Sequence, residues 1–221
     1  MTLLARPATS AAPARCTVHT VTEAHERARG LTLIELMVTV AVLALLLASV
    51  APSLGTWIGS QRVRNTASSL VAGLQQARAE AVRRNRPVSF WLVQGSNAGA
   101  VDNSCAVNAS GRTWVIALGS ASPAGKCAPG ASSNQIKAAL AASGGGSDTA
   151  VTVSAVDPSG SASAVVTFNG FGQVVNATPI RQIDVTGSSG LKAWRVVVSS
   201  GGQAKLCEPN VTTTGDPRSC S

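Results

Sequence analysis

The chain has 221 residues, a formal charge of +8 and five cysteines. Hydrophobic residues make up 45% and charged residues only 13%, about half the usual share, which excludes a disordered polyelectrolyte; five Cys are too few for a disulfide-dense scaffold. The basic excess is uneven: residues 1–30 carry four Arg against two Glu, 31–86 carry six Arg against two Glu, and 87–221 carry eight basic against six acidic residues. The C-terminal part is therefore nearly neutral, and net charge is weak support for a nucleic-acid partner.

Residues 1–30 hold Cys16 and both histidines, His19 and His25, and the stretch from Arg6-Pro7 to Pro13-Ala14 reads as unstructured. From Leu31 the chain reads LTLIELMVTVAVLALLLASVA, 21 residues ending at Ala51, with Glu35 its only charge. A helix needs roughly 20 apolar residues to cross the hydrocarbon core, so the run predicts a transmembrane helix over 31–51. A carboxylate inside such a run is costly unless it has a partner. A secretory signal peptide is the competing reading, and Ala48-Ser49-Val50-Ala51 offers a small-residue cleavage context. Against it stand the internal charge and an apolar region longer than the usual ~7–15 residues.

Residues 52–86 predict an amphipathic helix. Pro52 is expected to kink or interrupt it. Val63, Ala67, Leu70, Val71, Leu74, Ala77 and Ala81 recur at three- and four-residue steps and form one apolar face. Arg62, Arg64, Arg78 and Arg83 lie mainly off that face. The run Arg83-Arg84-Asn85-Arg86-Pro87 ends the helix, since Pro disfavours helix before it and cations suit a helix C-terminus.

Residues 87–221 read as a β-rich domain. Val88–Val93, Thr113–Leu118, Val151–Val156, Ala164–Phe168, Gln173–Val175, Ile180–Thr186 and Ala193–Ser199 are rich in Val, Ile and Thr and bounded by turn residues. Asn169-Gly170 predicts a hairpin turn. Residues 95–111, 119–134 and 143–147 read as loops. The expected fold class is α+β, a long N-terminal helix packed through its 63–81 face on an antiparallel sheet.

Catalysis finds no support in this pattern. If residues 1–30 are removed the chain has no His, and there is no Tyr anywhere. The remaining carboxylates are scattered, no Ser-x-x-Lys frame is present, and the Gly-rich runs lack the Gly-Lys-Ser/Thr of a phosphate loop. The reading is therefore a protein with no catalytic residue, no cofactor and no metal, and not an enzyme.

Arg29-Gly30-Leu31-Thr32-Leu33-Ile34-Glu35-Leu36-Met37-Val38 resembles the type IV prepilin signature. The resemblance implies cleavage between Gly30 and Leu31 by the prepilin peptidase, on the cytoplasmic side, with methylation of the new N-terminus. Leu31 departs from the usual Phe but stays apolar. Glu35 then becomes the fifth residue after cleavage, where the family carries a Glu, and Pro52 the twenty-second, where many members carry a Pro. Glu35 and Pro52 are thereby assembly residues: the Glu35 carboxylate would pair with the N-terminal ammonium of a neighbouring subunit and set the register. The run Ala77 to Phe90, ARAEAVRRNRPVSF, resembles the helix-to-strand junction of GspH/FimT-type pilins and pseudopilins. Val166 to Gly172 resembles a hairpin of their minor members, and the tail from Lys205 to Cys220 resembles the C-terminal disulfide loop of FimT/FimU-like minor pilins.

The family implies a minor pilin of a type IV pilus that helps initiate or cap the filament, with other pilins as partners. It would be a single-pass inner-membrane protein with a periplasmic C-terminal domain, entering the filament on assembly. A GspH-like pseudopilin of type II secretion is the alternative. Four cysteines lie beyond the leader: Cys105, Cys127, Cys207 and Cys220. Their number suits two disulfides in an oxidising compartment. Sequential pairs, Cys105–Cys127 and Cys207–Cys220, are expected, although four Cys allow three connectivities. DNA uptake is a less favoured alternative. The basic Gly-Arg-x-Arg motif of some FimT-like pilins corresponds here to Gly202-Gln203-Ala204-Lys205, leaving only Lys205 and Arg218 as a thin phosphate-binding patch.

Overall fold

The computed structural model describes residues 32–95, 100–141, 151–213 and 215–220, and for 49–53 only the helical backbone. The leader, including Gly30, and Leu31 lie outside the described residues. The chain forms two compact units, 1–46 and 47–221. One helix, α1 (Leu33–Arg84), begins in the first and continues into the second.

In the first unit Thr32 starts the helix. Its carbonyl accepts the Leu36 N–H at 3.1 Å and its Oγ1 accepts the Glu35 N–H at 3.3 Å. This is an N-cap, and Thr32-x-x-Glu35 has the spacing of a capping box. Every side chain from Leu33 to Leu46 is exposed. Among the described residues no helix is long and apolar enough to cross a membrane. The apolar run 31–51 is described with side chains only as far as residue 48.

Pro52 does not end α1, contrary to one of the two expected outcomes. A proline deletes its own N–H bond and crowds the preceding turn, and the helix continues on the bonds to either side. The helix stops instead at Asn85, which is left-handed at φ 47°. The Arg86 N–H reaches the Ala81 carbonyl at 3.3 Å and the Asn85 N–H reaches Val82 at 3.2 Å. These are the two bonds of a Schellman motif, with Pro87 just beyond it.

The second unit holds two antiparallel sheets. The first contains β1 (Val88–Gln94), β2 (Ala106–Val107), β3 (Thr113–Leu118), β4 (Gln135–Leu140) and β6 (Val165–Phe168), in the order β2-β1-β3-β4. Strand β6 pairs with β1 from Val88↔Phe168 to Trp91↔Val165, and β2 takes over at Val93↔Val107. The second sheet contains β5 (Val151–Val156), β7 (Gln182–Gly187), β8 (Trp194–Val198) and β9 (Ala204–Cys207), in that order.

Alternation along β1 sends Val88, Phe90 and Leu92 to one face, where they join Val63, Ala67, Leu70, Leu74, Ala77 and Ala81 of α1 in the main core. Val93 points to the other face and packs with Val115, Cys105 and Cys127. The helix thus covers one face of the sheet and the disulfide-stapled loops the other. A Cβ on Gly73 would lie 2.8 Å from the Phe90 ring, so glycine lets that ring reach the helix backbone.

The strands expected at Thr113–Leu118 and Val151–Val156 are present with those bounds, and those near 88, 165, 182 and 194 are present with small shifts. The expected strand Gln173–Val175 is reduced to one bridge, Phe168↔Val174. Its N–H groups are divided, Val174 donating to Ser200 and Val175 to Thr167. Strands β2, β4 and β9 lie in stretches read as loop or left unassigned. The Asn169-Gly170 turn forms, but the left-handed position falls on Gly172 (φ 74°). The Asn169 Oδ1 accepts the N–H groups of Phe171 and Gln173, each at 3.0 Å. This is the three-residue hairpin loop with a glycine bulge rather than a two-residue turn.

Candidate assembly site

Glu35 sits in the first turn of α1, exposed among exposed Leu33, Ile34, Leu36, Met37 and Val38. The described part of α1 in the first unit is apolar on all sides apart from Glu35, Thr32 and Thr39. A helix apolar all round needs an apolar surrounding, a membrane or other helices. Pro52 lies within α1, and nothing is described of its side chain.

In the second unit the arginines of α1 do different work. Arg83 and Arg84 both pair with Glu80 at 2.7 Å, which lowers the Glu80 pKa, chiefly through the Arg83 hydrogen bond. They form a charged, solvated helix end. Arg78 instead donates to the Gly172 carbonyl at 3.0 Å. Gly202, at the tip of the β8–β9 hairpin, packs so closely there that a Cβ would lie 2.0 Å from the Gly172 oxygen. Arg78 therefore joins the tips of two hairpins, one from each sheet, to the helix. Beside it, Gln75, Arg78, Ala79, Val82 and Arg83 line an open groove of about 430 Å³.

Trp194 carries two cations on its ring, Arg64 at 5.3 Å and Lys192 at 5.5 Å from the centroid. Lys192 also pairs with the buried Glu208 at 2.8 Å. Neither the Arg78–Gly172 nor the Arg64–Trp194 contact had a signal in the sequence, because each joins residues far apart in the chain.

The cysteines pair sequentially, as expected: Cys105–Cys127 and Cys207–Cys220. The structure brings Lys205 and Arg218 to the second disulfide loop. The Lys205 Nζ donates to the Ser219 carbonyl at 2.8 Å. Arg218 donates to Asp216 at 2.8 and 3.1 Å, which holds the Asp216 pKa down to about 2 and raises that of Arg218. Both basic heads thus brace the loop. Among the described residues no group of three or more His, Cys, Asp or Glu is placed to hold a metal ion.

The family model described as type II transport protein GspH matches residues 66–202, and that of the prokaryotic N-terminal methylation motif matches residues 26–51. No match is found among curated proteins. Among solved structures, the type IV minor pilin FimU of Pseudomonas aeruginosa (strain PAO1) in space group P21 is similar at 19% identity over 66% of this chain and 88% of its own, TM-score 0.43. The same protein in space group P65 gives 18% identity over 65% and 90%, TM-score 0.40.

Proposed function

The chain belongs to the GspH family, a family of structural and not catalytic proteins, and from that premise we propose that it is a minor pilin of a type IV pilus that assembles through its N-terminal helix and helps initiate or cap the filament. The observation that carries this reading is the exposed apolar helix with a single carboxylate at its capped start. In the precursor, residues 1–30 are the leader and 31–51 anchor the chain in the inner membrane. Prepilin peptidase cuts between Gly30 and Leu31. The β domain lies in the periplasm, where its two disulfides form. On assembly, the new N-terminal ammonium pairs with Glu35 of a neighbouring subunit. Mutual pairing offsets the cost of placing two charges among apolar helices.

The test is expression of Glu35→Ala and Glu35→Gln beside wild type, with filaments counted and sheared fractions analysed by mass spectrometry. The expected result is normal cleavage after Gly30 in all three, with both variants lost from filaments. Filaments containing Glu35→Ala at the wild-type level would overturn the pairing. The GspH description favours a second reading, a pseudopilin of type II secretion. Secretion components rather than pilus components among the co-purifying proteins would select it.

A further inference from the structure

The stretch of α1 just beyond the apolar run has a distinctive surface. Leu54, Trp57 and Ile58 are 51%, 60% and 45% exposed. Their spacing, i, i+3 and i+4, puts them on one side of the helix. The stripe of α1 that packs on the sheets starts at Val63, on the opposite side. The first close approach of the β domain is at Gly59, where a Cβ would lie 2.9 Å from the Leu191 side chain. Leu54, Trp57 and Ile58 are therefore an apolar face that this unit does not cover.

We infer that Trp57, with Leu54 and Ile58, is the outer interfacial anchor of the unassembled protein, seated in the phospholipid headgroup layer. This rests on the proposed membrane anchoring of 31–51. Two observations select lipid as the occupant. The first is continuity: the face follows directly on the apolar run that ends at Ala51. The second is depth. Trp57 lies six positions past Ala51, about 9 Å at the helical rise. The headgroup layer is roughly 5–8 Å thick on each side. Side chains on a helix lean toward its N-terminus, so the indole reaches back into that layer. Trp is the residue best suited to it, apolar in body with one N–H at the wet edge. The anchor fixes how far the β domain stands off the membrane and has to be released when a subunit is drawn into a filament.

The test uses the full chain in phosphatidylethanolamine/phosphatidylglycerol vesicles whose acyl chains are brominated close to the glycerol. Tryptophan emission of wild type and Trp57→Phe is compared, with flotation after an alkaline wash as a separate readout. The expected result is flotation of both proteins, quenching in wild type, and loss of that quenching in Trp57→Phe. Equal quenching in the two floating proteins overturns the anchor and leaves the membrane reading standing. So does a Trp57 contribution that is blue-shifted yet unquenched, which would place a second copy's helix over the indole. Failure of wild type to float overturns the membrane reading and the anchor with it.

Discussion

The apolar residues of α1 meet two fates. From Leu33 to Leu46 they are exposed, whereas Val63, Ala67, Leu70, Leu74, Ala77 and Ala81 are buried in the core with the two sheets and Val71, also expected on that face, is half-buried beside them. The difference lies in patterning. The later stretch places its apolar residues on one stripe at alternating steps of three and four, and the sheets cover that stripe. The earlier stretch is apolar all round, and no single sheet can cover a cylinder. One half of the helix is covered by the sheets; the other has no cover among the described residues.

Truncation within each half sharpens this contrast. Leu70→Ala removes a side chain with no exposure, and it is expected to destabilise the β domain by about 2–5 kcal/mol. Leu43→Ala trims a residue that is 56% exposed, and it is expected to leave that stability within about 0.5 kcal/mol. Chemical denaturation in detergent, followed by near-ultraviolet circular dichroism, compares them. Equal effects would break the distinction.

A smaller effect is expected where the buried half ends. Asn85→Ala puts a methyl-bearing residue at a left-handed position and is expected to cost about 1 kcal/mol, while Asn85→Gly stays near wild type. The same denaturation curves read both. Equal losses would show that the Asn85 side chain, which closes on Gly170, matters more than the backbone conformation.

The smallest effect is electrostatic and confined to the tail. The Asp216 carboxyl is held at about 2, below its ordinary 3.8, first by the Arg218 side chain and then by the Arg218 N–H. A lowered carboxylate pKa contributes stability that is complete above the unfolded value and is lost as pH falls through the folded one. Asp157, lowered chiefly by the Ser159 hydroxyl and then by neighbouring N–H groups, has the same sign. Amide exchange in the 207–220 loop, taken relative to the intrinsic rate at each pH, is expected to accelerate between pH 3.8 and about 2, with the Leu70–Leu74 stretch of α1, away from the Glu80 pair, unchanged over that range. Asp216→Asn should abolish the acceleration.

Much of this was legible in the sequence. The stripe from Val63 to Ala81 announced its burial, because helical periodicity and contact with a sheet are one constraint. Strands β3 and β5 were legible because Val, Ile and Thr dominate them. Strand β4, QIKAAL, was not. Its Gln, Lys and Ala have no preference for a strand, and pairing with β3 imposes the conformation. Strand β9 is four residues long at a sheet edge. Asn85 was hidden behind Pro87, the louder stop signal. For the candidate site, Glu35 was visible because its motif is local. Arg78 and Trp194 were not, since a contact between the helix and a distant part of the β domain leaves no spacing to read.

The pairing of β1 with β6 has a consequence for the order of events. Strand β1 is among the first of its sheet to be synthesised, yet its edge is completed only by β6, from Val88↔Phe168 to Trp91↔Val165. Loop closure over such a span is slow, and until it happens part of the sheet edge stands open and prone to wrong pairing. Tethering the growing chain by its N-terminus would keep such half-built copies apart from one another, so an anchor made before the β domain would protect its folding as well as serve its later assembly.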